Sequence, residues 1–313
     1  MTKIQRKNRV SAGAERPQRR YVVAGQAVGV APAAPGLHLV ATPIGNLRDI
    51  TLRALEVLAG ADLIACEDSR VTRRLLEHYG IATPLTPYHE HNAAAARPKI
   101  LARLAAGKSV ALVSDAGTPL ISDPGYKLVR EASIAGHRVE ALPGASAVLT
   151  ALAVAGLPTD RFFFEGFLPA KQAARQKRIA ALAPIPGTLV LFESGPRLAT
   201  ALSDLAAGLG ARDAAICREL TKLHEETRRG DLATLSCAYA AGAEIRGEFV
   251  IVIAPPSGDG DAAQDVDALL RGALERISVK DAVGEVALAT GRPRREIYQR
   301  ALAMTKDNDD GAR

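Results

Sequence analysis

Residues 37–66, which read LHLVATPIGNLRDITLRALEVLAGADLIAC, decide the fold. They contain two short apolar runs, residues 37–41 and 63–66, with the length of buried strands. A turn rich in glycine and proline follows the first run, and residues 51–59 then carry leucines at helical spacing. The order strand, helix, strand predicts a βαβ unit with parallel strands.

The same alternation continues on the carboxyl side of this unit. Further strands are predicted at residues 110–114, 138–142, 162–166, 188–193, 214–217 and 248–254. Further helices are predicted at residues 97–106, 123–135, 146–155, 172–182 and 196–207. The pattern therefore predicts an α/β protein with two α/β domains, residues 36–157 and 158–256.

Charge and composition distinguish the two ends of the chain. Seven of the 40 basic residues and one of the 34 acidic residues lie in the first 21 positions, so the rest of the chain is electrically balanced. Residues 1–35 are predicted to form a disordered basic tail. An acidic linker is predicted at residues 257–266, followed by a helical RNA-binding module at residues 267–313.

Several functional classes are disfavoured by missing patterns. The sequence has no apolar run of membrane-spanning length and no signal-peptide pattern, so we expect a cytoplasmic protein that contacts no membrane. It lacks the GxxxxGK[ST] loop and a GxGxxG motif after a strand, which disfavours phosphate-loop ATPases and dinucleotide dehydrogenases. His89 and His91 form an HxH pattern without cysteine partners, and no metal is predicted.

Three predicted strands end in turns rich in glycine and proline, at residues 42–46, 114–119 and 143–146. Ligands of parallel α/β sheets bind beyond the carboxyl ends of the strands. Glycine lets the backbone approach a ligand closely, while Asp115 and Thr118 add an acceptor and a hydroxyl. Each turn alone is compatible with an ordinary tight turn. Together they predict a site for a small polar ligand such as a nucleoside-bearing cofactor.

Five longer motifs resemble those of the ribosomal RNA small subunit methyltransferase I family, within the tetrapyrrole methylase-like superfamily. The resemblance covers the chain from about residue 37 to residue 254. The motifs are LVATPIGNLRDITLRALEVLAGADLIACEDSRVT (39–72), VALVSDAGTPLISDPGYKLV (110–129), LPGASAVLTALAVAGLPTDRFFFEGFLPA (142–170), FESGPRL (192–198) and CRELTKLHEE (217–226).

This resemblance implies a fold and an activity. The fold is two α/β domains of the tetrapyrrole methylase type with a cofactor cleft between them, plus a small C-terminal helical module. The activity is S-adenosylmethionine-dependent 2′-O-methylation of a cytidine in the decoding region of 16S ribosomal RNA. The implied partners are that RNA, free or in the small subunit, and a second copy of the chain. The alternatives are a methylase of a tetrapyrrole precursor or diphthamide-type substrate, and a non-catalytic RNA-binding ribosome assembly factor.

The motifs, together with Gly247-Glu248, which resembles the family's last cofactor-side strand, also imply which residues contact the cofactor. These are Pro43, Gly45, Asp115, Gly117, Thr118, Ser146, Ala147, Phe192, Glu193, Leu220 and Glu248. One position departs from the family pattern, since Pro196 stands where histidine is common. A catalytic histidine at that point is therefore excluded.

Other polar residues near the strand ends and in the C-terminal module are candidates for RNA contacts. They are Asn46, Arg70, His91, Asn92, Arg292, Arg294 and Arg295. The basic residues of the helix near 171–178 are interpreted either as a solvated face or as a further RNA contact. Methyl transfer to a hydroxyl depends mainly on in-line alignment, with help from a general base. We expect Asp68 or His89 to be that base.

Overall fold

The computed structural model describes residues 19–240, 245–256, 258–290 and 292–310. It contains two five-stranded sheets flanked by helices, followed by a bundle of helices with a core of its own. The predicted α/β class with a small C-terminal helical region is confirmed.

The first five-stranded sheet is entirely parallel, with strand order β5-β4-β6-β3-β7. Its strands are β3 Gly36–Val40, β4 Leu63–Cys66, β5 Leu85–Pro87, β6 Ser109–Val113 and β7 Val139–Leu142. Its helices are α1 Leu52–Gly60, α2 Ser69–His78, α3 Ala93–Ala105 and α4 Tyr126–Ile134. The next helix, α5 Ala147–Ala155, packs against the second sheet described below. Strands β4 and β6 are buried along their whole length, as expected when helices cover both faces of a parallel sheet.

Side-chain caps begin several helices just after the strands of this sheet end. The Thr51 hydroxyl accepts the N–H of Ala54 at 3.1 Å, which begins α1 after the turn that follows β3. Asp68 caps α2 in the same way, and Ser146 caps α5. The helices therefore begin at the carboxyl edge of the sheet, and their N-termini face the same side as the predicted ligand turns.

The second five-stranded sheet has the order β11-β10-β12-β9-β8 and is mixed. Its strands are β8 Phe162–Phe167, β9 Thr188–Ser194, β10 Asp213–Arg218, β11 Glu226–Asp231 and β12 Glu248–Ile253. Its helices are α6 Gln172–Leu182, α7 Gly195–Leu209 and α8 Leu232–Ala240. Only β8 and β9 pair in parallel, and the other neighbours are antiparallel. Strand β11 has the polar sequence ETRRGD and lies at the edge, which is why no apolar run predicted it.

An antiparallel hairpin precedes the first five-stranded sheet, formed by β1 Arg20–Val23 and β2 Gln26–Gly29. Its Tyr21 side chain is buried in the core, and Arg19 pairs with Asp62 at 2.9 Å. The prediction of a disordered tail through residue 35 is therefore wrong for residues 19–35. Besides Tyr21, the backbone N–H groups of Val22 and Ala33 hold this segment by donating to the carbonyls of Tyr79 and Gly60. Residues 1–18 lie outside the described part of the chain.

The C-terminal bundle consists of α9 Gly258–Leu274, α10 Val279–Thr290 and α11 Arg294–Asp310. Val266, Leu270, Val286 and Ile297 are fully or almost fully buried in its core. The predicted acidic linker at residues 257–266 is thus corrected, because α9 already begins at Gly258. Within the described residues, no helix combines the length and apolar character that crossing a bilayer requires.

Two of the four basic residues at 171–178 depart from both sequence interpretations, while Lys171 and Lys177 are exposed and fit either one. Arg175 is buried and forms an ion pair with Asp204 of α7, with 2.6 Å between the Nη2 and Oδ2 atoms. Arg178 pairs with Glu165 of β8 at 2.5 Å. These two arginines join α6 to neighbouring elements, so they do not form an open cationic face.

Candidate functional site

Two adjoining cavities lie where the two five-stranded sheets meet. Cavity A has a volume of about 470 Å³, and cavity B has a volume of about 410 Å³. Their walls share Ile44, Asp115, Ala116, Lys222 and Glu248. The first three residues follow strands of the first sheet and the other two belong to the second, so both halves of the chain form the site.

Nine of the eleven predicted cofactor residues line cavity A. They are Asp115, Gly117, Thr118, Ser146, Ala147, Phe192, Glu193, Leu220 and Glu248. The other two, Pro43 and Gly45, line cavity B. The structure therefore places the predicted cofactor residues around one continuous site.

The candidate RNA contacts lie outside the cavity walls. Arg294 and Arg295 are exposed near the start of α11, and Arg292 pairs with Glu296 at 2.8 Å. His91 is exposed, while the Asn46 side chain accepts the N–H of Arg48. Of the remaining two, Arg70 pairs with the candidate base Asp68, and Asn92 accepts a hydrogen bond from the backbone of the candidate base His89.

Hydrogen bonds hold the three predicted turns together. The Asp115 Oδ1 atom accepts the backbone N–H of Asp68 at 2.9 Å, which joins the loops after β6 and β4. Thr42 and Gly117 exchange backbone hydrogen bonds of 2.9 and 3.0 Å, which joins the loops after β3 and β6. The Thr118 hydroxyl donates to a carbonyl of the turn after β7 at 3.3 Å. The loop after β6 is thus the central element of the site.

Backbone strain is concentrated in two loops at the site. Leu120 and Ser122, in the loop after β6, have φ angles of 74° and 62°. Glu219 and Thr221, after β10, have φ angles of 47° and 67°. Such conformations cost roughly 1–3 kcal/mol each and are typical of ligand sites and active sites. Their place at the junction of the two sheets supports a functional site there.

Lys222 lies on the wall between the two cavities, and sequence reasoning missed it. Its Nζ atom donates to Glu219 at 2.9 Å and to Glu248 at 2.8 Å. Burial alone would lower the pKa of Lys222, but the hydrogen bonds to Glu248 and Glu219 raise it above its usual value. The side chain therefore remains charged and fixed in place. Its position within the motif CRELTKLHEE was the only available signal.

Replacing Gly45 with alanine tests this packing. A Cβ atom at position 45 would lie 2.4 Å from the Lys222 Cγ atom. This side chain cannot easily move away, because its Nζ atom is hydrogen-bonded to Glu248. We expect Gly45→Ala to lower the free energy of unfolding by about 1–3 kcal/mol, the usual cost of overpacking. Urea unfolding measures this change.

Two variants control the Gly45 experiment. Gly29→Ala places a Cβ atom where no atom lies within 4 Å, so it is expected to be nearly neutral. In a Lys222→Ala background, Gly45→Ala is expected to lose part of its effect, because the clash with the lysine side chain is gone while the backbone strain at φ +157° remains. An equal loss of stability in both backgrounds would contradict the proposed packing.

Comparisons with known proteins identify the family. The model of the Tetrapyrrole (Corrin/Porphyrin) Methylases matches residues 36–236, and that of the RsmI C-terminal HTH domain matches residues 260–305. A ribosomal RNA small subunit methyltransferase I from Mesorhizobium japonicum is 50% identical over 281 residues, covering 90% of this chain and 96% of that protein. This chain belongs to the ribosomal RNA small subunit methyltransferase I family.

Two further comparisons agree with this family. The ribosomal RNA small subunit methyltransferase I of Pseudomonas aeruginosa is 45% identical, covering 85% of this chain and 96% of that protein. A crystal structure of uroporphyrin-III C-methyltransferase from Thermus thermophilus, complexed with S-adenyl homocysteine, matches 70% of this chain and 97% of its own. Its identity is 19% and its TM-score 0.50, so it supports the fold alone.

Five carboxyl groups line cavity A of this methyltransferase family member, and three of them, from Glu67, Asp115 and Asp123, lie in loops that follow strands of the first sheet. Burial, followed by the negative charge of Glu67, raises the pKa of Asp123 to about 6, although a hydrogen bond from Ser114 opposes the shift. Burial and the charge of Asp115 also raise the pKa of Glu67. Sequence reasoning had assigned Asp123 to a helix, but α4 begins only at Tyr126.

The two predicted bases lie beside the cavities and are absent from their walls. The Asp68 carboxylate caps α2 and pairs with Arg70 at 2.6 Å. The hydrogen bond from the Arg70 side chain lowers the pKa of Asp68 to about 2, which makes this carboxylate a weak base. The backbone N–H of His89 donates to the Asn92 Oδ1 atom at 2.9 Å, and its ring centre is 6.1 Å from that of His91.

Proposed function

We propose that this chain transfers a methyl group from S-adenosylmethionine to the ribose 2′-hydroxyl of a cytidine in the decoding region of 16S ribosomal RNA. The observation that carries the proposal is that nine of the eleven predicted cofactor residues, from both halves of the chain, line cavity A. The names of relatives 50% and 45% identical to this chain support ribosomal RNA as the substrate. Membership of this methyltransferase family supports S-adenosylmethionine as the donor, as the motifs imply.

The residues of cavity A fit the chemistry of this donor. S-adenosylmethionine carries positive charges, which the carboxylate of Asp115 complements. Its adenine is flat and largely apolar, and Ile44, Phe192 and Leu220 offer apolar walls. The volume lies within the usual range for ligand pockets. When bound, the donor supplies an electrophilic methyl group, and the chain's own task is to align it with the acceptor oxygen.

The C-terminal bundle is our candidate for the module that holds the RNA. Arg294 and Arg295 are exposed at the N-terminus of α11, where the helix dipole adds to their positive charge. Arginine there can bind phosphate oxygens through paired hydrogen bonds. We further propose that Asn46, Arg70, His91, Asn92 and Arg292 contact the RNA. The same proposal includes a homodimer acting in the cytoplasm on free or assembled small-subunit RNA.

Charge removal on α11 tests the RNA-binding module. The double variant Arg294→Gln, Arg295→Gln is expected to weaken RNA binding and to reduce the slope of log affinity against log salt by about 1 to 2. Donor affinity is expected to remain unchanged. The control is Lys127→Gln, Arg130→Gln, which removes two exposed charges from α4. Equal effects of the two double variants on RNA binding would count against a dedicated module.

Methyl transfer from labelled S-adenosylmethionine tests the function itself. The purified chain is offered small ribosomal subunits, free 16S ribosomal RNA and a tetrapyrrole precursor in separate reactions. We expect label in the RNA at one cytidine, with the adjoining phosphodiester resistant to alkali because its 2′-oxygen is methylated. Label only in the tetrapyrrole would favour the tetrapyrrole methylase alternative. RNA binding without transfer to any acceptor would favour the assembly factor.

A further inference from the structure

We propose that Glu67 and Asp123 form a carboxyl pair that accepts the proton of the acceptor hydroxyl during methyl transfer. This inference rests on the function proposed above and assigns it a base different from Asp68 and His89. Both members line cavity A, whereas neither Asp68 nor His89 lines either cavity. The carboxyl pair denotes these two side chains below.

The fold brings the two carboxyl groups together from separate loops. Glu67 follows β4, and Asp123 lies in the strained loop after the adjacent strand β6. Both carboxyl groups line cavity A, and each lies close enough to the other to act on its ionisation. Two like charges in a partly buried site resist ionising together, so the pair holds one shared proton at acid pH and ionises fully as the pH rises.

The charges around the pair tune it for a reaction near neutral pH. The negative charge of Asp115 acts on both members, that of Asp68 acts on Glu67, and His89 is near enough to Glu67 to act in the opposite direction. Together with burial, the like charges bring the pKa of Asp123 to about 6, whereas that of Asp68 is about 2. A general base works best when its pKa lies close to the operating pH. The pair meets this condition, and Asp68 does not.

The mouth of cavity A beside the pair offers a place for the acceptor. Ile121 is 43% exposed and Phe167 is 55% exposed, and both belong to the cavity wall. The loop that carries Ile121 touches strand β8 there, since a Cβ atom at Gly166 would lie 3.0 Å from the Ser122 hydroxyl. Exposed aromatic and aliphatic side chains stack well against the face of an unpaired base. An RNA nucleoside held at this mouth would bring its ribose towards the carboxyl pair.

The proposed step balances in atoms and charge. The bond between the 2′-oxygen and the methyl carbon forms as the sulfur–methyl bond breaks, and the sulfur leaves with the electron pair as a neutral thioether. The hydroxyl proton passes to the ionised carboxyl pair, so the negative charge of the pair falls by one. The pair later releases this proton to water, which restores the starting state.

Single-turnover methylation of small-subunit RNA across pH 5 to 9 tests the pair. The wild-type rate is expected to fall below about pH 6, because the shared proton then blocks the base. This fall in the rate is the acidic limb of the pH profile. Asp123→Asn and Glu67→Gln are each expected to lower the rate by about 10²–10⁴-fold and to remove the acidic limb. Asp123→Glu is expected to recover part of the rate. The control is Asp160→Asn, an exposed residue that does not line either cavity.

Two measurements other than the rate distinguish a proton-accepting pair from a pair that only contacts the donor. Infrared titration of the isolated chain is expected to detect a carboxyl group that ionises near pH 6 and is missing in Asp123→Asn. Calorimetry is expected to give both pair variants a donor Kd within about twofold of the wild type, which also reports that they fold. A comparable loss of donor affinity would make the pair a donor contact and overturn the proposal. An unchanged limb in Asp123→Asn would overturn it as well.

Failure of the proposed function is recognised independently. A wild-type chain that binds the donor but methylates no RNA would reject the function, and the carboxyl pair with it. A wild-type chain that methylates RNA while Asp68→Asn or His89→Ala, rather than the pair variants, loses the acidic limb would reject the pair alone.

Discussion

Replacing Asp115 with alanine is expected to raise the Kd for S-adenosylmethionine by about 10- to 100-fold while the chain stays folded. The side chain lines both cavities, and its Oδ1 atom accepts the N–H of Asp68 at 2.9 Å. The change therefore removes a negative charge that faces a cationic ligand and releases the contact between the loops after β4 and β6. A hydrogen bond to a charged group is worth about 1.5–3 kcal/mol, which corresponds to this range of affinity.

Calorimetry with three variants separates the two roles of Asp115. Asp115→Asn keeps an oxygen that can accept the Asp68 N–H but has no charge, so it is expected to retain the loop contact and lose part of the affinity. Asp160→Ala removes an exposed carboxylate that does not line either cavity and is expected to bind like the wild type. Wild-type affinity in Asp115→Ala would refute the assignment of the donor to this site.

The position of the site was predictable because local and global signals agree. Glycine and proline after buried runs mark the turns at residues 42–46, 114–119 and 143–146. The parallel order of β3, β6 and β7 then brings the three turns to one edge. No knowledge of distant contacts is needed for that step, since parallel strands joined by helices all end on the same side.

Features that depend on contacts between distant segments could not be read from the sequence. The pKa of Asp123 depends on Glu67, which comes from another loop. Strand β11 carries a polar sequence and is recognisable only from its partner β10. Tyr21 docks the N-terminal hairpin, although its neighbours have the composition of a disordered tail. In each case the deciding partner lies far away in the chain.

Arg175 is the clearest example, and it leads to the largest stability effect that we expect. A row of basic residues on a helix normally indicates a solvated face, but this arginine is 5% exposed and pairs with Asp204, which is 7% exposed. Asp204 also accepts a hydrogen bond of 3.0 Å from Gln176. Asp204→Ala is expected to lower the free energy of unfolding by about 3–5 kcal/mol, because Arg175 would keep a buried charge without its partner.

Matched variants distinguish loss of a buried partner from loss of an ion pair as such. Glu285→Ala breaks an exposed pair with Arg276 and is expected to change the stability by less than about 1 kcal/mol. The double variant Arg175→Met, Asp204→Leu replaces both charges with apolar groups and is expected to regain most of the loss. A loss in the double variant as large as that of Asp204→Ala would mean that packing, rather than the unpaired charge, determines the effect.

The pH dependence of the same variant gives an independent check. Burial alone would raise the pKa of Asp204, but the hydrogen bonds from Gln176 and Arg175 and the charge of Arg175 hold it below its usual value. An acid whose pKa is lower in the folded chain stabilises that chain fully above its unfolded pKa of about 3.9 and loses this contribution as the pH falls through the folded pKa. The stability difference between the wild type and Asp204→Ala should therefore be constant above about pH 5 and shrink below about pH 4. Urea unfolding at several pH values measures this difference, and a gap that widens on acidification would contradict an ionised Asp204 in the folded chain.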